Sequence, residues 1–453
     1  MTGIAAVIGA RENSVASTMA SVLEAMKIRG SVTESVVVKG DNGTVTIGSC
    51  RHSHEPRSAT SQEGESFAMD GLSFDVLLQE RLRSDAGLVP LSRLFRVPGA
   101  FSFLAISAGK LLAARDPLGQ KPLYYGAGND GILAFASLKN ALKKIGVSDP
   151  IPVPPGQMVT ASKNDVFVVD DSRLSNPKEA SVSESEAVAK LGELLIEAVS
   201  EIVPKKSAIA FSGGIDSTLV AMAAKKTGLE LELVTVGTKG QDELKHAHRI
   251  AKTLGLKITI KELSESEVLE SLPNVVTTVE STDPTLVAIS VPLYFACQTA
   301  RDMRMKSIVA GQLSDELFAG YGRFEKLALT NELEEARKEV WNSVLTASTN
   351  DFEPGDKLAV SHHLELRCPF AYLPLVQYSL QLPISLKLRV TENNVIRKYI
   401  LRRLAADWKL PEAVVNRPKK AVQYSSGVQK VLQRAAKRRG LTMSGLLESF
   451  SSN

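Results

Sequence analysis

Phe211-Ser212-Gly213-Gly214-Ile215-Asp216-Ser217 stands directly after the apolar run 207–211 (SAIAF) and directly before the apolar-periodic stretch 217–228. A buried strand, a tight glycine turn and a helix start are therefore predicted in immediate succession. Two adjacent glycines let the backbone bring N–H groups up to an anion without interference from Cβ atoms, and Ser212 and Ser217 add hydroxyl donors. The helix amino terminus contributes its positive dipole end, so the loop is shaped for phosphate. A carboxylate repels phosphate, so Asp216 has a role there only if it holds Mg²⁺ against a polyphosphate. The Gly-Lys-Ser/Thr ending of the kinase-like loop is missing.

Around this loop the chain alternates helix and strand. Residues 183–203 carry apolar side chains at 188, 191, 194, 195 and 199 and open on a Ser-x-x-Glu cap. Strand-like runs at 231–237 and 256–263 flank a helical stretch at 242–255. Strands at this spacing need crossover helices, so an α/β doubly wound parallel sheet is expected, followed by a mainly helical carboxyl-terminal part. Residues 307–321 repeat the logic, with a strand, a glycine at its end and Ser314-Asp315-Glu316 opening a helix. Asp216 and Asp315 are the expected Mg²⁺ pair, because two strand ends of one parallel sheet can share a metal–pyrophosphate site.

Residues 1–150 have a different grammar. Short β-type runs (3–9, 35–40, 44–49, 100–107, 110–119, 122–126 and 131–137) are punctuated by Gly, Asn, Asp and Pro, which predicts an α+β domain of packed sheets. One more strand, at 166–171, precedes the polar stretch 172–186. Two domains follow, 1–178 and 179–453.

The 453 residues, 44 % hydrophobic and 23 % charged, exclude wholesale disorder and a disulfide-dependent scaffold. No window approaches the ~18–20 apolar residues of a spanning helix, and the amino terminus lacks a signal-peptide pattern, so a cytoplasmic protein without a membrane partner is expected. Three scattered cysteines and three histidine pairs supply no metal-ligand spacing. The net charge of +4 hides an asymmetry: residues 397–439 carry 13 Lys/Arg against 2 Asp/Glu, while residues 179–396 carry 22 against 30.

Ser-Gly-Gly-x-Asp-Ser resembles the PP-loop of ATP pyrophosphatase domains, the adenine nucleotide alpha hydrolase-like fold. Gly311-Gln312-Leu313-Ser314-Asp315-Glu316-Leu317-Phe318 with Gly320-Tyr321, the segment His363 to Phe370, and Arg417-Pro418-Lys419-Lys420-Ala421-Val422-Gln423-Tyr424 are similar to three motifs of asparagine synthetases. The resemblance implies ATP and Mg²⁺ as cofactors, adenylation of an aspartate side chain, and displacement of AMP by ammonia. It places Phe211, Val236, Ala310 and Gly311 near the nucleotide, Lys419 and Lys420 on pyrophosphate, and Gln312, Glu316, Glu365 and Arg367 around the substrate. Where many relatives have Glu, this chain has Gln312, which is no base. An amide ligase for another carboxylate, like the β-lactam synthetases, is the alternative; a tRNA-modifying PP-loop enzyme and a non-catalytic nucleotide-binding regulator are further ones. Against nucleic acid, the basic stretch has little aromatic interleaving.

Residues 115–125 and 135–139 resemble the end of the glutaminase domain of the same enzymes, an N-terminal-nucleophile-type αββα sandwich. Those enzymes use a cysteine exposed by removal of Met1; here the residue is Thr2. Arg51 matches the arginine that holds the glutamine carboxylate, and Asp70-Gly71-Leu72 stands where the oxyanion segment carries an amide. Thr2 and Arg51 are the candidates for glutamine hydrolysis. A carboxylate in an oxyanion hole opposes the developing charge, so the expectation is an inactive domain and free ammonia as donor. Self-association into a homodimer is open.

Overall fold

A computed structural model describes residues 2–40, 43–52, 59–62, 65–71, 95, 99–107, 110–162, 165–330, 332–392, 394–418 and 422–450. The chain separates into two compact units, residues 1–175 and 176–453. Among the described residues no helix is long and apolar enough to cross a membrane.

The first unit contains β1 (Thr2–Gly9), β2 (Val32–Gly40), β3 (Gly43–Arg51), β4 (Ala59–Gln62), β5 (Glu65–Gly71), β6 (Phe101–Ser107), β7 (Lys110–Arg115), β8 (Tyr124–Ala127), β9 (Leu133–Ala136), β10 (Ile151–Pro152), β11 (Gln157–Ala161) and β12 (Val166–Asp171). They form two antiparallel sheets, ordered β10-β8-β9-β1-β3-β2 and β12-β11-β7-β6-β5-β4. β1 is buried along its whole length, which explains its unbroken apolar and small-residue composition. Ile4, Ala6 and Ile8 pack between the sheets with Leu104, Ile106 and Leu111. On the other face, Ala5 and Val7 lie under the helix Glu12–Ala25 with Val15, Met19 and Val22. That helix falls in the gap between the predicted β-type runs 3–9 and 35–40, where the sequence reading named no element. Its apolar positions 15, 19, 22 and 23 have helical spacing, but Ser and Thr between them mask the period.

In the second unit, β13 (Ser207–Ala210), β14 (Glu232–Thr238), β15 (Ile258–Leu263), β16 (Ser307–Val309) and β17 (Glu365–Arg367) form the parallel sheet β15-β14-β13-β16-β17. The chain builds outward from β13 to β15, then crosses back to start β16 on the other side. The crevice at the carboxyl ends of β13 and β16 is thus the topological switch point, where such sheets bind ligands. A hairpin of β18 (Leu388–Thr391) and β19 (Asn394–Arg397) leads into the helix Tyr399–Asp407. The helix Glu184–Ile202 starts on a complete capping box between Ser183 and Glu186, worth about 1 kcal/mol. In the basic helix Val428–Arg438, the exposed Arg434 and Arg438 both pair with Glu265.

Lys387 is 2 % exposed, and burial holds its ammonium down to about 7, opposed by Glu179 and reinforced by Arg337. An unfolded lysine titrates near 10.4, so between roughly pH 7 and pH 10 the unfolded chain binds more protons and stability rises with pH, by up to about 1.4 kcal/mol per unit. Below that window the full cost of burying the charge is present. Lys387→Met is therefore expected to raise the denaturation midpoint at pH 7 by a margin that shrinks toward pH 10. Equal gains at both pH values in denaturant titrations would count against this assignment.

Candidate functional site

The loop after β13 turns through Gly213, whose φ of +66° is left-handed; an added Cβ there would also meet His246 Cδ2 at 2.9 Å. The Ser212 hydroxyl accepts from Gly214 N at 3.2 Å and lies 3.3 Å from Ser217 Oγ. The N-cap of the helix Ile215–Lys226 is Gly214, which has no side chain to cap it, so among the described residues its first N–H groups are left as donors at the crevice. His246 Nε2 lies 3.0 Å from Gly213 O. Burial holds this imidazole below its usual value, with Arg417 and Arg249 adding to the effect. Arg417 donates to Ser212 O at 3.4 Å and pairs with Glu243 at 3.3 Å. A positive rim thus backs the glycine loop.

Across the crevice, Gly311 follows β16. A Cβ at Gly311 would come within 3.0 Å of Asp216 Cβ, so a glycine is needed for the two loops to approach. Ser314 Oγ donates to Asp216 Oδ1 at 2.6 Å. The carboxylates of Asp216 and Asp315 converge on one cation, Lys398 Nζ, at 2.6 Å and 2.8 Å. Lys398 is 1 % exposed and also donates to Ser314 Oγ at 3.2 Å. The two aspartates come together as the sequence predicts, but the sequence reading missed the lysine between them. A lysine opening a helix opposes the dipole, and that placement was the available signal.

Two converging hard-oxygen donors suit Mg²⁺, which is commonly held by one or two carboxylates with waters and substrate phosphates completing its shell. Among the described residues there is no group of three or more His, Cys, Asp or Glu for a dedicated all-protein metal cage. Lys419 and Lys420, expected on pyrophosphate, lie outside the described residues. Phe211 is buried at the end of β13, with Val236 partly buried on the neighbouring β14. Ala310 N donates to Arg367 O at 2.9 Å, which ties the β16 loop to the end of β17.

The substrate candidates divide. Gln312 is pinned as an amide: its Nε2 donates to Asp351 O at 3.1 Å and its Oε1 accepts from Cys368 Sγ at 3.3 Å. Glu316 accepts from Tyr321 Oη, and burial, with Asp315 beside it, pushes its carboxyl above the usual range. Glu365 and Arg367 pair with each other, while Arg367 Nε is buried with no hydrogen-bond partner among the described residues.

In the first unit, Thr2 N donates to Asp70 Oδ1 at 3.1 Å and Arg29 Nε donates to Thr2 O at 3.0 Å. Arg29 and Asp70, 1 % and 0 % exposed, pair at 2.5 Å, with Lys121 Nζ 4.0 Å from the same carboxylate. Arg51 pairs with Glu34 at 2.9 Å. Cys50 offers no substitute thiolate: burial pushes it up to about 12, and its Sγ donates to Met26 O at 3.2 Å. Leu72 lies outside the described residues.

With this geometry in place, the chain matches the family described as Asparagine synthase over residues 190–347 and 328–448, and the Glutamine amidotransferase domain over residues 89–144. A Methanocaldococcus jannaschii protein named as a glutamine-hydrolysing asparagine synthetase is 30 % identical over 389 residues, covering 76 % of this chain and 71 % of the relative. Proteins of the same name from Brassica oleracea and Sandersonia aurantiaca are 26 % and 28 % identical, each over 73 % of this chain. The chain spans 58 % and 65 % of those two plant proteins' own lengths.

Proposed function

The chain belongs to the asparagine synthase family, and on that premise we propose that it is an ATP-dependent amide-forming ligase that adenylates the side-chain carboxylate of aspartate and transfers ammonia to it. A carboxylate oxygen attacks the α-phosphorus of ATP, the bond to the bridging oxygen breaks, and pyrophosphate leaves. Ammonia then adds to the acyl carbon and AMP departs, taking one former carboxylate oxygen with it. The observation that carries the reading is the convergence of Asp216, Asp315 and Lys398 beside the glycine loop at the switch point. Backbone donors of residues 212–214 with the Ser212 and Ser217 hydroxyls are suited to hold the phosphates, and Lys398 offsets charge developing on the leaving group. Asp216 and Asp315 are the residues for Mg²⁺, which supplies further neutralisation of that charge when bound. Phe211, Val236, Ala310 and Gly311 frame the nucleotide, with Lys419 and Lys420 as the pyrophosphate lysines.

Ammonia is taken as the donor, because Asp70 is buried against Arg29 and Thr2 in place of an oxyanion amide, and Arg51 is engaged by Glu34. Labelled glutamine is expected to survive incubation with enzyme, ATP and aspartate, while ammonium supports turnover. Thr2-dependent glutamate release would contradict this.

A second reading, another carboxylate or a larger amine, is favoured by one observation: Gln312 is held as an amide by Cys368 and Asp351 and can serve as no base. Exchange of labelled pyrophosphate into ATP across a panel of carboxylic acids separates the two. Exchange with aspartate supports the first reading and exchange with another acid alone supports the second. Exchange that needs added tRNA, or that occurs with none of the acids, would sink both.

A further inference from the structure

His246 takes no part in the chemistry proposed above, yet it touches the phosphate loop at the peptide between Gly213 and Gly214. The carbonyl oxygen and the N–H of one trans peptide point in opposite directions, so the rotation of that plane decides which of them looks into the crevice. Gly213 O lies 3.0 Å from His246 Nε2, while Gly214 N donates to Ser212 Oγ at 3.2 Å. The Ser212 hydroxyl is itself 3.3 Å from Ser217 Oγ. The N–H is therefore turned toward the two hydroxyls suited to phosphate, and the carbonyl is turned away from them.

Two glycines make this plane easy to reverse. A half-turn would carry Gly214 from its φ of −78° to about +100°, a region that only glycine enters freely. The reversed plane would aim a carbonyl oxygen, the negative end of the peptide dipole, at an incoming phosphate. The helix Asp242–Leu254 lies directly behind the loop: a Cβ on Gly213 would stand 2.9 Å from His246 Cδ2 and 3.1 Å from Ala247 Cα. A carbonyl oxygen only accepts, so His246 Nε2 carries the hydrogen. Burial holds the imidazole below its usual value, with Arg417 and Arg249 adding to the effect and the Gly213 bond and Glu243 opposing it. The ring is thus neutral above about pH 7 and serves as a donor rather than as a charge.

We infer that His246 is a positioning residue for the phosphate loop: its Nε2–H latches the Gly213 carbonyl outward and so keeps the Gly214 N–H aimed at the polyphosphate of ATP. This role rests on the phosphate-loop part of the proposed function, and not on which acid is adenylated. A loop whose competent plane is populated one time in ten binds about tenfold more weakly, although no contact to the ligand has been removed.

Calorimetric titration of the full chain with ATP in excess Mg²⁺, at pH 7.5 and without any acid substrate, tests the latch. Three proteins are compared: the natural chain, His246→Ala and His246→Gln. Glutamine places an amide N–H near the position of Nε2 without the ring or its charge. ATP is expected to bind His246→Ala about tenfold more weakly than the natural chain, and His246→Gln within about threefold of it. Denaturation midpoints of the unliganded proteins are recorded alongside, since a ring that only fills space would shift both variants' midpoints and leave their ATP affinity in place. Equal affinity of the natural chain and His246→Ala overturns the latch, and His246→Gln as weak as His246→Ala overturns the donor role. If the natural chain binds no ATP, the phosphate-loop reading falls and the latch with it. ATP binding with no exchange for any acid removes the ligase reading alone.

Discussion

Replacing Lys398 by methionine is expected to lower carboxylate-dependent ATP–pyrophosphate exchange by about 10²–10³-fold, the usual loss when a charge-stabilising group is removed from a transition state. The ammonium sits at 2.6 Å and 2.8 Å from Asp216 and Asp315 with 1 % exposure. Without it, two carboxylates face each other across the proposed pyrophosphate site, and their charge repels an incoming polyphosphate. Breaking a buried ion pair also costs about 3–5 kcal/mol of stability, so activity must be compared at matched folded fractions. The discriminating measurement is a double-mutant cycle with Asp216→Asn. If the three groups act as one unit, the double variant loses far less than the sum of the single losses. Strictly additive losses would show that Lys398 and Asp216 act separately.

Asp70→Asn is the second large effect. Asp70 is fully buried, pairs with Arg29 at 2.5 Å, and accepts from Thr2 N at 3.1 Å. The substitution removes the Asp70 charge that faces the buried Arg29 guanidinium and the nearby Lys121 ammonium, at an expected cost of about 3–5 kcal/mol. Denaturant unfolding of the full chain, followed by a probe in the first unit, should register that loss. The paired replacement of Arg29 by methionine and Asp70 by leucine should recover most of it, because two apolar groups of similar size remove both desolvation penalties together. A single Asp70→Asn variant as stable as the natural chain would mean that this ion pair contributes nothing to the fold.

These two clusters show what a linear reading reaches. The glycine loop, Asp216 and Asp315 were legible because each signal is local: an apolar strand, a glycine turn, and an acidic residue in a first helical turn. Lys398 was not, since it stands 182 positions from Asp216 and arrives only through the hairpin of β18 and β19. Asp70 was recognised as out of place in an oxyanion segment, but its partner Arg29 is 41 residues away, after a helix whose Ser and Thr content hid its period. Gln312 was read as a lost base from its residue type alone. The thiol and carbonyl that fix its amide come from residues 368 and 351, on separate elements, and no spacing rule joins them.

On the proposed function, this chain joins a carboxylate to AMP before an amine displaces it. Turnover of a carboxylic acid labelled with heavy oxygen in both carboxylate positions tests this order of steps, with ammonium present and the nucleotide products analysed by mass spectrometry. Adenylation predicts one heavy oxygen in each AMP formed and none in pyrophosphate. Heavy oxygen in inorganic phosphate with ADP as the nucleotide product, or unlabelled AMP, would contradict it.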